Sequence, residues 1–476
     1  MVFSSLLFTF IFLPLVTGLF YLSKEKYRNY VLLVASFLFY AYGEPEFVYV
    51  MLLSILINYC FALLVNRANT AGQKNQAKLC LFLDVALNLA LLFVCKYLNF
   101  AISIGNALFQ KELPMADITL PIGISFFTFQ ALSYVIDVYY ERVNVQKNPL
   151  YIALYISFFP QLIAGPIVRY HSIEEQITKR VYSVNKFGEG TQRFLLGFCK
   201  KILLSNHLAV VAEGIRGMDV HTASPSLLWL GSICYSLQIF YDFSGYSDMA
   251  IGLGKIFGFE FEENFNYPYI SRSVTEFWRR WHISLGQWFR DYVYIPLGGS
   301  KVCVPRHILN LLIVWLLTGI WHGANYNFVV WGLIYFCLLV LEKYAVKPEQ
   351  RKSGLLRILW QAVTLLCVNF AWVIFNSLHL KDGIRYCLAM IGYYHIPFEI
   401  MNEQLLKYMR EYGFFLLAGL VFATPAAKKI GSVLSRNRMS AYAADLLLPI
   451  CYGIAFLWAV SFLILGAHNP FIYFNF

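Results

Sequence analysis

The chain is short of charge. Only 14% of its 476 residues are Asp, Glu, Lys or Arg, against about 25% in an ordinary soluble domain. Hydrophobic residues make up 59%. No soluble fold could bury that much apolar surface, which leaves an all-α polytopic membrane protein. Soluble catalytic signatures are missing too. There is no P-loop, no G-x-G-x-x-G and no G-x-S-x-G nucleophile elbow. Gly252-x-Gly254 is too short and too apolar for a dinucleotide turn. The ten cysteines, most of them inside apolar runs, form no C-x-x-C pair and no zinc spacing. Neither a metal site nor a disulfide framework is expected. The N-terminal run Val2 to Leu22 lacks a basic leader region and a small-residue cleavage site, so it is expected to be the first span. The net charge of +11 would suggest nucleic acid in a soluble chain. Here the basic excess of cytoplasmic loops accounts for it, and no nucleic-acid partner is expected.

What is present is apolar runs. At about 20 residues per span they predict roughly ten to twelve crossings or re-entrant helices. The first five spans fall near 3–22, 30–42, 46–65, 79–97 and 119–140. The loops between them alternate in charge. Lys24, Lys26 and Arg28 crowd the first and Arg67, Lys74 and Lys78 the third, whereas Gly43 to Glu46 carries no base. The positive-inside rule then puts the N-terminus outside the cytoplasm. Residues 149–168 are apolar but interrupted by Pro160, Gly165 and Pro166. They read equally well as a re-entrant element or a proline-kinked span. Further spans are expected near 355–378, 412–424 and 442–466, with a mixed amphipathic stretch over 379–411. Aromatic residues, 18% of the chain, fit interfacial belts and core packing.

Three apolar segments carry ionisable groups, which are rare in spans and usually functional. Leu311 to Leu333 has His322 at its middle. Helical spacing lines up Trp315, Thr318, Gly319, His322, Asn325 and Tyr326 on one face. A neutral imidazole there suits general-base chemistry, or simply a hydrogen bond to a neighbouring helix. Asp242 and Asp248 sit among aromatics and glycines, either paired for structure or orienting a histidine. Ser273 to Arg290 opens with capping-box spacing between Ser273 and Glu276. As one helix it would carry Trp278, Trp281, Leu285 and Trp288 on one stripe and Arg279, His282, Gly286 and Arg290 on another. Such a helix lies in the membrane interface. A sharper reading has Arg279, Arg280 and His282 hold an anionic group.

QLIAGPIVR (161–169), YDFSGYSDMAIGLGKIFGFEFEENFNYPY (241–269), EFWRRWHISLGQWFRDYVYIPLGG (276–299), TGIWHGANYNFVVWG (318–332) and the terminal FIYFNF together resemble the membrane-bound O-acyltransferase family, in its alginate and peptidoglycan O-acetyltransferase membrane-subunit branch. The resemblance implies a helical shell around a central funnel or tunnel with re-entrant helices. It implies one integral-membrane domain over 1–476, with N-terminal spans over about 1–140, core motifs over about 149–345 and C-terminal spans over about 355–476. By it His322 is the catalytic residue and His282 the second family histidine. Asp242, Asn325 and Trp321 become candidates to support or orient an imidazole. Arg279, Arg280 and Trp278 become candidates for the acyl donor. The donor implied is acetyl-CoA, with no bound cofactor. The function implied is acyl transfer across a bacterial cytoplasmic membrane onto an extracytoplasmic polysaccharide, with an SGNH-type transferase as partner and lipids around the protein. Two departures are mild: Tyr326 and Asn475 stand where tryptophan and glutamine are expected. D-Alanyl transfer from a carrier protein to teichoic acid, and a proton-coupled transporter, are the alternatives.

Overall fold

A computed structural model describes residues 1–347, 354–399, 402–434 and 438–472. The last four residues of the terminal motif, Asn475 among them, lie outside the described residues. All regular structure among those described is helical. The chain divides into two compact units, Met1–Phe194 with Met249–Glu262, and Leu195–Asp248 with Glu263–Phe476. Seven helical stretches among the described residues are long and apolar enough to cross a membrane, or eight if a pair bent by 67° is one span. Two shorter apolar helices, Phe8–Leu22 and Ile124–Tyr139, accompany them. The protein is thus a multi-pass helical membrane protein, as its composition requires.

The first unit contains α1 (Leu13–Leu22), α2 (Glu25–Gly43), α3 (Val48–Thr70), α4 (Lys74–Leu92), α5 (Leu98–Phe109), α6 (Ile124–Tyr139), α7 (Pro149–Ser157), α8 (Phe159–Leu162) and α9 (Tyr170–Thr178). A turn of π-helix leads into α1, and another joins α4 to α5. Helices fall at each of the five expected positions, but among them only α3 and the stretch Lys74–Phe109 are long and apolar enough to cross a membrane. Helix α5 fills residues expected as the loop between the fourth and fifth spans, and the seven or eight candidate crossings among the described residues fall short of the roughly ten to twelve expected. Helix α6 is buried on every side from Ile124 to Val135, as an all-round apolar helix must be.

The proline-broken stretch 149–168 forms two short helices, α7 and α8, with the break at Phe158. Side chains answer the backbone groups that the break frees. Ser36 Oγ accepts from Phe159 N at 3.1 Å. Gln161 Nε2 donates to the Tyr155 carbonyl at 2.7 Å, and the Tyr155 hydroxyl donates to the Val168 carbonyl at 2.9 Å. Irregular backbone at membrane depth needs such internal partners.

The unit boundary falls inside α10 (Val184–Cys199) and α12 (Pro225–Ile256). The second unit also holds α11 (Asn206–Arg216), α13 (Val274–Arg280), α14 (Ile283–Phe289), α15 (Val304–His322), α16 (Tyr326–Leu341), α17 (Gly354–Asn376), α18 (Leu380–Met390), α19 (Glu403–Phe422), α20 (Ala426–Leu434) and α21 (Arg438–Ile464). Two expectations are corrected here. Ser273 to Arg290 is not one helix. It breaks at Trp281–His282, where His282 adopts the left-handed region at φ 45°. The two stripes drawn on a single cylinder therefore do not exist. Likewise Leu311 to Leu333 is not one helix: α15 ends at His322, and α16 restarts at Tyr326 behind an Asn325 cap.

Helices α15 and α16 return as a tight hairpin, and glycines permit it. A Cβ on Gly319 would overlap the carbonyl oxygen of Phe328, and one on Gly332 would overlap that of Trp315. A Cβ on Gly323 would enter the Phe328 ring. Only a residue without a side chain allows two backbones this close.

Candidate active site

His322, at the end of α15, is 6% exposed. Its imidazole stands nearly perpendicular to three rings. Trp321, Trp331 and Phe375 lie with centroids 5.0, 5.0 and 5.2 Å away, at 79°, 81° and 82°. These apolar walls exclude water, so hydrogen bonds and charges inside act at low dielectric.

His282 is the second imidazole. It is buried, and the break between α13 and α14 presents it. The break has a tertiary cause. The extended segment at 264–266 pairs with it: Asn266 N donates to the Arg280 carbonyl at 2.9 Å, and Ile283 N donates to the Asn264 carbonyl at 3.0 Å. Trp321 packs against both histidines, 5.9 Å from His282 and 5.0 Å from His322, centroid to centroid. Phe243 of α12 meets the His282 ring edge-on at 4.6 Å and 88°.

Asn264 fixes the tautomer of His282. Its Oδ1 accepts from the Ser284 backbone N–H at 3.2 Å and the Ser284 hydroxyl at 3.0 Å. A backbone N–H can only donate, so this atom is the amide oxygen. The amide nitrogen donates to Ser247 Oγ at 3.1 Å. His282 Nδ1, 3.2 Å from the same Oδ1, must then carry the proton, and Nε2 becomes the lone-pair nitrogen. Burial holds the His282 imidazole well below its ordinary pKa, and the neighbouring His322 adds to the effect. The ring is a neutral base at physiological pH.

The N-terminus of α13 is anchored from outside. Ser273 Oγ accepts from Glu276 N at 3.0 Å, as the capping spacing predicts. The buried Glu342 carboxylate accepts from Val274 N at 2.6 Å, Thr275 N at 2.9 Å and the Thr275 hydroxyl at 2.7 Å. A carboxylate on a helix N-terminus is electrostatically favoured.

The structure gathers His322, His282 and Trp321 and sends the other expected residues elsewhere. Asp242 does not orient a histidine. It pairs with Lys201 at 2.5 Å, both side chains being buried, and accepts from Ile472 N at 2.8 Å. Lys201 also donates to the Pro470 carbonyl, and Asn206 bonds Asn469 at 3.1 Å. The pair is thus a latch for the chain's C-terminal tail. Asn325 caps α16 through Asn327 N at 3.4 Å and donates to the Leu378 carbonyl at 3.0 Å; its amide is committed there rather than to an imidazole. Trp278 is wedged among Trp315, Tyr335 and Trp331, at 4.9, 4.8 and 5.5 Å. It packs there against the core cluster. Arg280 is tied to Glu276 at 2.8 Å and to the Asn266 carbonyl at 3.1 Å, while Arg279 is exposed. Among the described residues no group of His, Cys, Asp and Glu is placed to hold a metal.

Sequence reasoning missed Asn264, Lys201 and Glu342. Asn264 lies 18 residues from the histidine it holds, and no periodicity links them. Lys201 and Glu342 had a usable signal: each is a charge inside or at the edge of an apolar run, which must find a partner.

The profile of the membrane-bound O-acyltransferase family matches residues 37–380. A "probable alginate O-acetylase" of Pseudomonas aeruginosa is 41% identical over 429 residues, covering 89% of this chain and 81% of that relative. A peptidoglycan O-acetyltransferase of Helicobacter pylori is 31% identical over 527 aligned positions, covering 100% and 98%. A teichoic acid D-alanyltransferase of Bacillus subtilis is 28% identical over 282, covering 56% and 70%. The chain therefore belongs to the membrane-bound O-acyltransferase family and is a multi-pass membrane enzyme that transfers acyl groups to hydroxyls.

Proposed function

We propose that this O-acyltransferase takes an acetyl group from cytoplasmic acetyl-CoA and passes it through the His322 site for O-acetylation of an extracytoplasmic polysaccharide. The observation that carries the reading is the pair of buried imidazoles that both pack against Trp321, one of them held as a neutral base. The printed names of two relatives, an alginate O-acetylase and a peptidoglycan O-acetyltransferase, support acetyl and a polysaccharide. The D-alanyl relative matches only 56% of the chain, against 100% for the peptidoglycan one, so acetyl is preferred.

Charge supports the direction of transfer. Lys301 and Arg306 flank the start of α15, and Lys343 and Lys347 the end of α16. The turn at 323–325 carries no charge. In a bacterial cytoplasmic membrane the basic end faces inward, and the His322 end opens outward. The donor meets the basic end. An SGNH-type transferase on the outer face is the partner that completes delivery.

In the reaction His322 accepts the proton of the attacking hydroxyl as its oxygen adds to the thioester carbonyl. The C–S bond then breaks, and the proton returns to the leaving thiolate. An acyl-histidine route, in which the imidazole itself attacks, uses the same geometry. His282 Nδ1 is occupied by Asn264. Its neutral Nε2 therefore serves to accept a proton rather than to polarise a carbonyl. General-base catalysis is worth about 10²–10⁴-fold. His322→Ala should lower transfer from radiolabelled acetyl-CoA by that factor or more, with expression intact. Full activity in that variant would end this reading.

A further inference from the structure

Glu342 stands just past the end of α16 and is 3% exposed. A buried carboxylate is costly unless hydrogen bonds answer it. Here each oxygen accepts two. Oε1 accepts from Val274 N at 2.6 Å and from Trp360 Nε1 at 3.3 Å. Oε2 accepts from Thr275 N at 2.9 Å and from the Thr275 hydroxyl at 2.7 Å. Three elements meet on this one group, and each also reaches the site. Helix α16 presents Trp331 to the His322 ring at 5.0 Å. Helix α17 supplies Trp360 and, further along, Phe375 at 5.2 Å from the same ring. Helix α13 supplies Val274 and Thr275 and runs at its other end into the break that presents His282.

Helix α13 needs the hold. It has seven residues, and helices shorter than about 12–15 residues are marginal by themselves. Side chains satisfy its first N–H groups: Glu342 those of Val274 and Thr275, and Ser273 that of Glu276. Its far end is pinned by the 264–266 segment. A rod of about 10 Å thus joins the Glu342 carboxylate to His282, and a shift at one end moves the other. Only a carboxylate fits this place. Both oxygens face donors, so the amide nitrogen of a glutamine would point a donor at a donor.

We propose that Glu342 is a positioning residue for acyl transfer: its carboxylate holds the His282-bearing helix α13 in register with α16 and α17, whose Trp331 and Phe375 wall His322. Its bearing on catalysis rests on the reading of the two imidazoles given above.

The test compares wild type with Glu342→Gln as full-length protein in detergent. The first readout is diethyl pyrocarbonate labelling of His282, followed by peptide mass spectrometry, which needs no turnover. Loosening α13 opens the His282 socket, so the variant should label there about fivefold faster or more. His207, stacked on Phe415 of α19 at 3.8 Å, should label at the wild-type rate. The second readout is the pH–rate profile for acetyl-CoA turnover. The kcat should fall about tenfold or more with KM unchanged. The acid limb should move to higher pH, because water reaching His282 relieves the burial that lowers its pKa. Should Glu342→Gln fail to fold, Thr275→Val and Trp360→Phe decide. Each removes one donor, leaves the carboxylate, and should move both readouts the same way by a smaller factor. His282 labelling at the wild-type rate, or rising together with that of His207, overturns the proposal. So does a limb that stays in place while kcat falls, since loss of folded protein alone does that. If Asn264→Asp moves the limb and Glu342→Gln does not, the positioning role fails and the acetyl-transfer reading stands. Faster His282 labelling without any acetyl-CoA turnover sinks that reading and keeps the hold of Glu342 on His282.

Discussion

At the scale of single residues, Asn264 decides what His282 can do. One amide oxygen accepts from Ser284 and from the histidine, which sets the tautomer and leaves a basic nitrogen. The environment keeps that ring uncharged: burial comes first, then the nearby His322. A folded-state pKa below the ordinary value means the neutral form persists as pH falls. Asn264→Asp reverses the balance. A carboxylate beside Nδ1–H stabilises the imidazolium and raises the pKa. The acid limb of the pH–rate profile for acetyl-CoA turnover should then move to higher pH than in wild type. A limb that stays in place would remove His282 from the reaction.

At the scale of elements, the α15–α16 hairpin sets the site. His322 terminates one helix, and Trp331 on the returning helix closes against it. That return needs Gly319 and Gly332, where a Cβ would overlap backbone carbonyl oxygens. Backbone cannot give way as a flexible side chain can. Overpacking costs about 1–3 kcal/mol or more. Gly332→Ala should therefore lower the melting temperature in detergent and reduce acyl transfer with it. Gly18→Ala, where the added carbon meets nothing within 4 Å, should leave the melting temperature unchanged. Equal melting of the two variants would show that the hairpin tolerates separation. The break between α13 and α14 follows the same logic. Pairing with the 264–266 segment competes with helix continuation and wins at Trp281–His282, against the local preference of a sequence that reads as one helix.

At the scale of the whole molecule, the membrane is the solvent and charge sets direction. The basic loops at 24–28 and 67–78 are expected on the cytoplasmic side by the positive-inside rule. A cytoplasm-active reporter fused near Lys74 should be active, and a periplasm-active one at the same place silent. The opposite pattern would invert the orientation and with it the cytoplasmic donor. The tail latch also belongs to this scale. Lys201 and Asp242 form a buried pair that holds residues near 470, joining segments some 230–270 positions apart in the chain.

Composition alone determined that this is a multi-pass helical membrane protein, because apolar surface in this proportion has no soluble solution. Apolar runs placed α1 to α4 and α6, but not α5, which lies in a stretch read as a loop. The charged loops between them and the Ser273 cap were equally legible, since each depends on residues close in the chain. The motif around His322 could be read as a site, because an ionisable ring in an apolar run is costly and conspicuous. Only the tertiary structure decided how the polar residues pair. Asp242 goes to Lys201, Asn325 to Leu378, and His282 to Asn264. Helical periodicity assumes an unbroken cylinder, and both catalytic-region helices break where distant backbone supplies better hydrogen bonds or a glycine ends the turn. Partner choice among buried polar groups depends on which are brought within 3 Å, and that distance is set by the packing of the whole unit.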